Sequence, residues 1–192
     1  MVSILIDENI LLRSYELDDA AMLFKAVDAS RSHLRKWLSW VDSTTKPEHS
    51  IQFLQQYISH QNKQEALALG IFHKREIIGG IGMHAWDHTL KKAQIGYWIS
   101  KEYEGKGIIS ACLLRFVDFL FNKVGLNKIE IQFIPQNERS AKVADRLGCK
   151  LEGVIRDGTI VNGRFEDLVI TGLLKKEWKK LPENPKKEFK AT

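Results

Sequence analysis

The 192-residue chain predicts an α+β fold, a mixed and largely antiparallel sheet with helices on both faces. Three observations predict it. The elements read in the order strand, helices, three strands, helix, strand, helix, two strands. Lys128 to Ile134 alternates strictly between inward and outward residues, and Asn162-Gly163 separates two late apolar runs as a hairpin turn does.

Each element has a local cause. Ile10, Leu12 and Ser14 alternate with Leu11 and Arg13 as a first strand. Leu17-Asp18-Asp19-Ala20 places acids at a helix start, with Ala21, Leu23, Phe24 and Val27 following. A second helical piece over 31–38 brings Leu34, Trp37 and Leu38 together. Pro47 opens a longer helix in which Ile51, Leu54, Tyr57 and Ile58 share a face. Strands follow at 66–73, 76–86 and 92–99, the first two joined by a tight turn at His73 to Glu76. Leu113, Val117, Leu120 and Val124 form one stripe of a helix that Gly125 can cap. Asn137 to Leu147 is a short helix ended by Gly148, and strands at 149–156 and 165–174 close the fold.

Composition bounds the function. The chain is 44% hydrophobic and 28% charged, as a single soluble globular domain is. The domain is expected over residues 1–178, with a basic, flexible tail over 179–192. No apolar stretch approaches the roughly 20 residues of a membrane span, and the first residues lack the basic start and long apolar centre of a secretory signal. Cys112 and Cys149 stand apart from any CxxC or cysteine–histidine cluster, so they read as buried free thiols in a reducing cytoplasm. No metal is implied. Residues 175–192 carry +4 of the net charge of +5, which leaves only +1 for the rest. A specific nucleic-acid partner is therefore not expected.

The most informative segment is Ile95-Gly-Tyr-Trp-Ile-Ser100, followed by Glu104-Gly-Lys-Gly-Ile-Ile-Ser110. A strand ends, a glycine turn follows, and a helix begins with its unpartnered amides outward. The helix dipole adds positive character there, so the segment is a phosphate cradle. It is not a P-loop, because Ile108 rather than Lys follows Gly107. Nor does a turn arriving past residue 100, after a meander of strands, suit a dinucleotide fold.

Further on, the strand ending at Ile134-Pro135 is followed by Asn137-Glu-Arg-Ser140 and a helix running into Gly148 and Gly153. With Ala93-Gln-Ile-Gly-Tyr-Trp-Ile99, the glycine turn, Asn162-Gly163 and the early Leu34-Arg-Lys-Trp37-Leu-Ser-Trp40, the chain resembles the GNAT superfamily of acetyl-CoA-dependent N-acetyltransferases. Within it the likeness is to the RimJ/RimL-type subgroup, the ribosomal-protein N-terminal acetyltransferases, and it spans about residues 8–178. The resemblance implies a sheet splayed open at its centre, between the strands at 92–99 and 128–134. Acetyl-CoA would lie in the split, its pantetheine arm along Trp98 and Ile99. Amides of Glu104, Gly105, Lys106, Gly107, Ile108 and Ile109 would hold the pyrophosphate, and Asn137 and Ser140 would complete the site. Trp37 would face the acceptor, and a homodimer is implied. Two residues depart from the family pattern: Glu104 replaces the usual Gln or Arg, and Ile109 a Gly or Ala. A carboxylate beside a pyrophosphate is electrostatically odd, so Glu104 is expected to turn aside.

Acetyl transfer to an amine requires a neutral amine, donors for the oxyanion and help for the departing thiolate. The resemblance puts the oxyanion donor near Trp98 or Ile99 and makes Ser140 the catalytic hydroxyl, donating a hydrogen bond to sulfur. By itself Ser140 reads equally as a first-turn serine bonded to local backbone. No base is evident, for Thr159 stands where a subgroup glutamate can serve. Asp157, Glu166 and Asp167 read first as hairpin carboxylates, and His84 as a partly buried structural histidine. A protein α-amine, with a pKa of about 7.7–8.0, is already partly neutral, whereas a lysine at about 10.4 needs a stronger base. The expected acceptor is thus a protein N-terminus, with a ribosomal protein as its class. The alternatives are a small amine such as a polyamine or aminoglycoside, and a CoA-binding module without catalysis.

Overall fold

The computed structural model describes residues 1–178, and the expected tail over 179–192 lies outside the described residues. Eight strands form one sheet in the order β1-β2-β3-β4-β5-β6-β8-β7. They are β1 (Ser3–Leu5), β2 (Ile10–Ser14), β3 (Leu67–His73), β4 (Glu76–Asp87), β5 (Lys92–Ile99), β6 (Lys128–Phe133), β7 (Lys150–Val161) and β8 (Arg164–Leu174). All neighbours are antiparallel except β5 and β6.

Helices α1 (Ala20–Ala29) and α4 (Pro47–Asn62) cover one face, packing Leu23, Val27 and Leu54 with Phe72. Short helices α2 (Arg31–Leu34) and α3 (Trp40–Ser43) connect them. The other face carries α5 (Ile108–Phe119) and α6 (Glu138–Leu147). There Leu113, Phe116 and Val117 pack on Ile71, Met83, Ile95 and Ile129, all essentially water-free. A single π-helical turn (Leu120–Val124) extends α5 to Gly125, whose φ of 87° ends it. A last short helix, α7 (Lys175–Trp178), follows β8. None of the described helices is long and apolar enough to cross a membrane.

The sheet differs from the sequence expectation at its edges. Strand β1 was not foreseen, because Asp7 and Glu8 interrupt the apolar start; Asp7 instead caps the turn by accepting from the amides of Asn9 and Ile10 at 2.8 Å. The helical piece expected over 31–38 is broken after Leu34 and resumes at Trp40. Strand β7 runs on to Val161, with an irregularity between Ile155 and Thr159 where Asp157 takes a φ of 49°. That hairpin leaves Leu151, Val154, Ile155, Ile160 and Phe165 exposed.

One seam positions everything else. Strands β5 and β6 pair only at Lys92–Lys128, Ala93–Ile129 and Gln94–Glu130, and then diverge. Their closed end is pinned by charge. The Glu130 carboxylate, only 8% exposed, sits 3.2 Å from Lys92 and 3.1 Å from Lys128. Burial alone would raise its pKa, but the two ammonium groups outweigh burial and lower it. The open end of the V is the coenzyme-sized gap that the resemblance implied.

Candidate functional site

The gap holds a cleft of about 550 Å³. One wall is the end of β5 and the glycine turn; the other is Ile131 to Ile134 of β6 and its exit, and the start of α6. Gly105 and Gly107 adopt φ of 76° and 75°, the left-handed region that favours glycine, and Gly107 is the residue from which α5 starts. Among the described residues, the amides from Gly105 through Ser110 donate to no protein acceptor, and the first bonded amide is Ala111, to Gly107. A β-carbon at Gly105 would meet nothing within 4 Å. These are free donors at the mouth of a helix, open to an anion.

The far end of the cleft offers hydroxyls. Asn137 caps α6 by accepting from the Ser140 amide at 3.2 Å, which fixes the first turn and lets Ser140 line the cleft. Tyr97, reaching across from β5, lies beside Ser140. Its phenol oxygen is buried and, among the described residues, finds no partner of proper hydrogen-bond geometry. Burial pushes the phenol up to about 12, with Ser140 offsetting part of that shift. An orphaned buried hydroxyl beside a row of free amides fits a ligand carrying phosphate at one end and a soft acceptor at the other. Acetyl-CoA has that form.

Strand alternation decides which β5 amides face the split. The Ser100 amide donates to Ile78 C=O at 2.7 Å. Alternation in an antiparallel ladder therefore commits the Trp98 amide to Gly80, its register partner, and turns the amides of Tyr97 and Ile99 toward the split. Of the two expected donors, Ile99 faces the cleft and Trp98 does not.

Glu104 is held rather than free. Its carboxylate is 13% exposed, accepts from Lys101 at 2.8 Å, and is also paired with Arg139 of α6 and, at 3.3 Å, with His33 of α2. Two cations thus offset its charge at the cleft mouth. The His33 ring is pushed below its ordinary pKa by burial and by Lys101, Arg139 and Lys36. Lys106 turns its ammonium onto the Tyr103 ring, 4.9 Å from the centroid, leaving only its backbone to the cradle. Sequence reasoning passed over Arg139, Lys142 and Arg146, which line the cleft from one stripe of α6; their helical spacing was the available signal.

On the opposite face of β4 and β5 lies a second cavity, of about 890 Å³. The two cavities share Leu38, Gly96, Tyr97 and Trp98, so they meet where the strands begin to part. Trp40 and Trp98 meet edge to face here (6.4 Å, 70°), whereas Trp37 lines the coenzyme-side cleft. The break after Leu34 sends the two early tryptophans to different sides. His84 projects into this second cavity from β4. A β-carbon built on Gly96 would lie 3.6 Å from the His84 ring, which places the imidazole beside the junction. His84 is exposed on the cavity wall rather than partly buried, yet the desolvation it does suffer lowers its pKa below the ordinary 6.5, opposed by Gln94, so the ring is mostly neutral at pH 7. The other candidate carboxylates are engaged at the hairpin. Asp167 accepts from the Asp157 amide at 3.0 Å and Glu166 from Gln136 at 3.0 Å. Thr159 lines the cleft and carries no base. Both cysteines are free thiols, Cys112 buried and Cys149, against expectation, only partly so; desolvation pushes both up to about 12.

Comparison with known proteins agrees with this geometry. The Acetyltransferase (GNAT) domain model matches residues 9–150. The chain is 35% identical over 177 residues to YdaF of Bacillus subtilis, covering 90% of this chain and 95% of that one. It is 25% identical over 166 residues to the ribosomal-protein-serine acetyltransferase of Escherichia coli, covering 86% and 93%. Among solved structures, RimL, a ribosomal L7/L12 α-N-protein acetyltransferase in complex with coenzyme A, superposes with a TM-score of 0.88 at 23% identity over 92% of this chain and 99% of that one.

Proposed function

Because the chain belongs to the GNAT acetyltransferase family, we propose that its acetyl-CoA-dependent N-acetyltransferase chemistry acts on the N-terminal α-amine of a protein, a ribosomal protein being the expected class. The observation that carries this choice is the second cavity, where His49 already accepts the Thr45 amide and His84 is left as the imidazole poised as a base. Among the described residues no carboxylate lines it. A polyamine or aminoglycoside would bring several positive charges into a site without a counter-charge. A neutral imidazole of lowered pKa suits an α-amine of about 7.7–8.0 and is a poor match for a lysine near 10.4.

Each residue then has a task. The amides from Gly105 to Ser110 hold the pyrophosphate, assisted by Lys142 and Arg146. Acetyl-CoA, when bound, supplies an activated acetyl thioester. His84 takes the proton that the amine sheds. The Ile99 amide, preorganised by the β4 ladder, donates to the oxygen that becomes negative. The hydroxyls of Ser140 and Tyr97 donate to the departing sulfur, whose conjugate acid has a pKa of about 8.5 by analogy with cysteine. Neither hydroxyl is acidic enough to lose its proton outright, so both stabilise the thiolate until water protonates it. The homodimer expected from the family would cover the apolar β7–β8 hairpin, and sedimentation equilibrium tests it.

The test is thiol release from acetyl-CoA with matched peptides, each containing one internal lysine, with the α-amine free or blocked. Turnover is expected only with the free α-amine, and the product should carry acetyl at its first residue. Preferred acetylation of the lysine, or of spermidine, would refute the proposal.

A further inference from the structure

The second cavity is far larger than a small side chain requires, and its composition says what fills it. Its floor is nearly bare: Ala68, Gly80, Gly82 and Gly96 stand on the face of β3, β4 and β5 where a filled core would place branched residues. Gly80 permits aromatic walls to lie flat on the sheet, for a β-carbon there would come within 2.5 Å of the Trp98 indole nitrogen and 2.8 Å of the Tyr15 hydroxyl. Gly96 is open, with the His84 ring as its one neighbour within 4 Å.

The walls are aromatic and mutually braced. Phe53 lies 4.5 Å from Tyr57 between ring centroids and meets Tyr15 edge-on at 6.4 Å. The remaining polar lining is neutral. His49 is occupied, accepting the Thr45 amide at 3.1 Å. Among the described residues no Asp, Glu, Lys or Arg lines the cavity. At its rim Trp40 and Phe53 stay 40% and 37% exposed, apolar surface that an occupant would cover.

We infer that the acceptor carries a bulky, uncharged apolar or aromatic group next to its reacting amine, and that this cavity takes that group up. The inference rests on the proposed acetyl transfer but concerns what stands beside the amine. A serine or alanine side chain would leave most of about 890 Å³ empty or wet. A charged one would be desolvated without a partner. On a protein the fitting first residues are Phe, Leu, Ile and a retained initiator Met. A small aromatic amine presents the same chemistry from another source.

The full-length protein, saturated with CoA, is titrated by calorimetry with hexapeptides that differ only in the first residue: Phe, Met, Ser, Ala, Lys or Asp. Phenethylamine and spermidine form separate arms. Phe- and Met-peptides are expected to bind about 10- to 100-fold tighter than Ser- and Ala-peptides, the range over which an apolar pocket discriminates. Trp40→Ala and Phe53→Ala should abolish that preference while CoA affinity, read in a separate titration of the CoA-free variants, reports an intact fold. Equal or tighter binding of Ser, Ala or Lys peptides or of spermidine, or no binding of any aromatic ligand, overturns the inference. Aromatic binding without thiol release would sink the proposed transfer to α-amines and leave this inference standing. Phenethylamine binding as tightly as the Phe-peptide supports the cavity chemistry and assigns it to a small molecule.

Discussion

The two cavities that meet at Gly96–Trp98 are built on opposite plans. The cleft between β5 and β6 recognises through backbone: free amides, two left-handed glycines and a helix start, with cations from one stripe of α6 around them. The cavity behind β4 and β5 offers side chains instead, drawn from Tyr15 and from α1, α3, α4, β3, β4 and β5, neutral among the described residues and with aromatic walls. The first plan suits a ligand that is always the same, and it tolerates odd side chains such as Glu104 because side chains are not the instrument. The second suits an acceptor that differs between relatives, since each wall residue can change without disturbing the donors.

The largest effect should come from the group that serves the junction. His84→Gln is expected to lower kcat/KM by about 100-fold, the lower end of what a positioned base contributes, with acetyl-CoA affinity unchanged. The pH profile gives the sign. Because desolvation at the cavity wall holds His84 below 6.5, it gains a proton, and stops acting as a base, only below that pH. The acceptor α-amine protonates earlier, below about 7.7–8.0. The wild-type acid limb should therefore steepen from slope one to slope two at a pH below 6.5, while the variant keeps slope one. An unchanged limb would remove His84 from the chemistry.

Next comes the backbone of the cradle. Gly107→Val places a β-branched residue at a φ of 75°, costing about 1–3 kcal/mol of strain. If that strain is relieved by moving the amides, acetyl-CoA should bind about 10- to 100-fold more weakly. Calorimetry reads the affinity and thermal melting the strain. A variant that melts lower yet binds normally would show that the amides are not the instrument.

This asymmetry also explains what the sequence disclosed. The donor side was legible because it is contiguous: a strand, Gly105-x-Gly107 and a helix start occupy neighbouring positions, and a hydrogen-bonding backbone needs little else. The strand order and hairpin were legible for the same local reason. The acceptor side was not. Tyr15, Trp40, Phe53 and Tyr57 converge from three separate elements, and each alone reads as ordinary core. The choice between the Trp98 and Ile99 amides depended on ladder phase, set by Ser100 bonding to Ile78. No spacing in the chain displays that phase. His84 reads as structural in the chain because nothing there shows that it stands diagonal to the bare Gly96 across the β4–β5 ladder.

A smaller effect tests the cations. Lys142→Ala and Arg146→Ala should each weaken CoA binding about 2- to 5-fold at low salt, as exposed charges do, and the loss should shrink as salt screens the pair. The acceptor side, having no charged lining, should show no matching salt dependence. Acceptor affinity that falls with salt as steeply as CoA affinity would blur the contrast.

The smallest predicted effect has the opposite sign. In Glu104→Gln the carboxylate leaves the cleft mouth, Arg139 loses its partner, and Lys101 becomes free. Less negative charge then faces the diphosphate, and two cations are released toward it. CoA affinity should rise about 2- to 3-fold at low salt and return to wild type at high salt. The competing consequence is lost bracing, because Glu104 ties the glycine turn to α2 through His33 and to α6 through Arg139. If bracing dominates, affinity falls, and it falls equally at both salt concentrations, since a displaced amide is not restored by screening. Titrating the variant with CoA at two ionic strengths separates the outcomes. A salt-independent loss would mean that the donor cleft, too, relies on a side chain to hold its backbone in place.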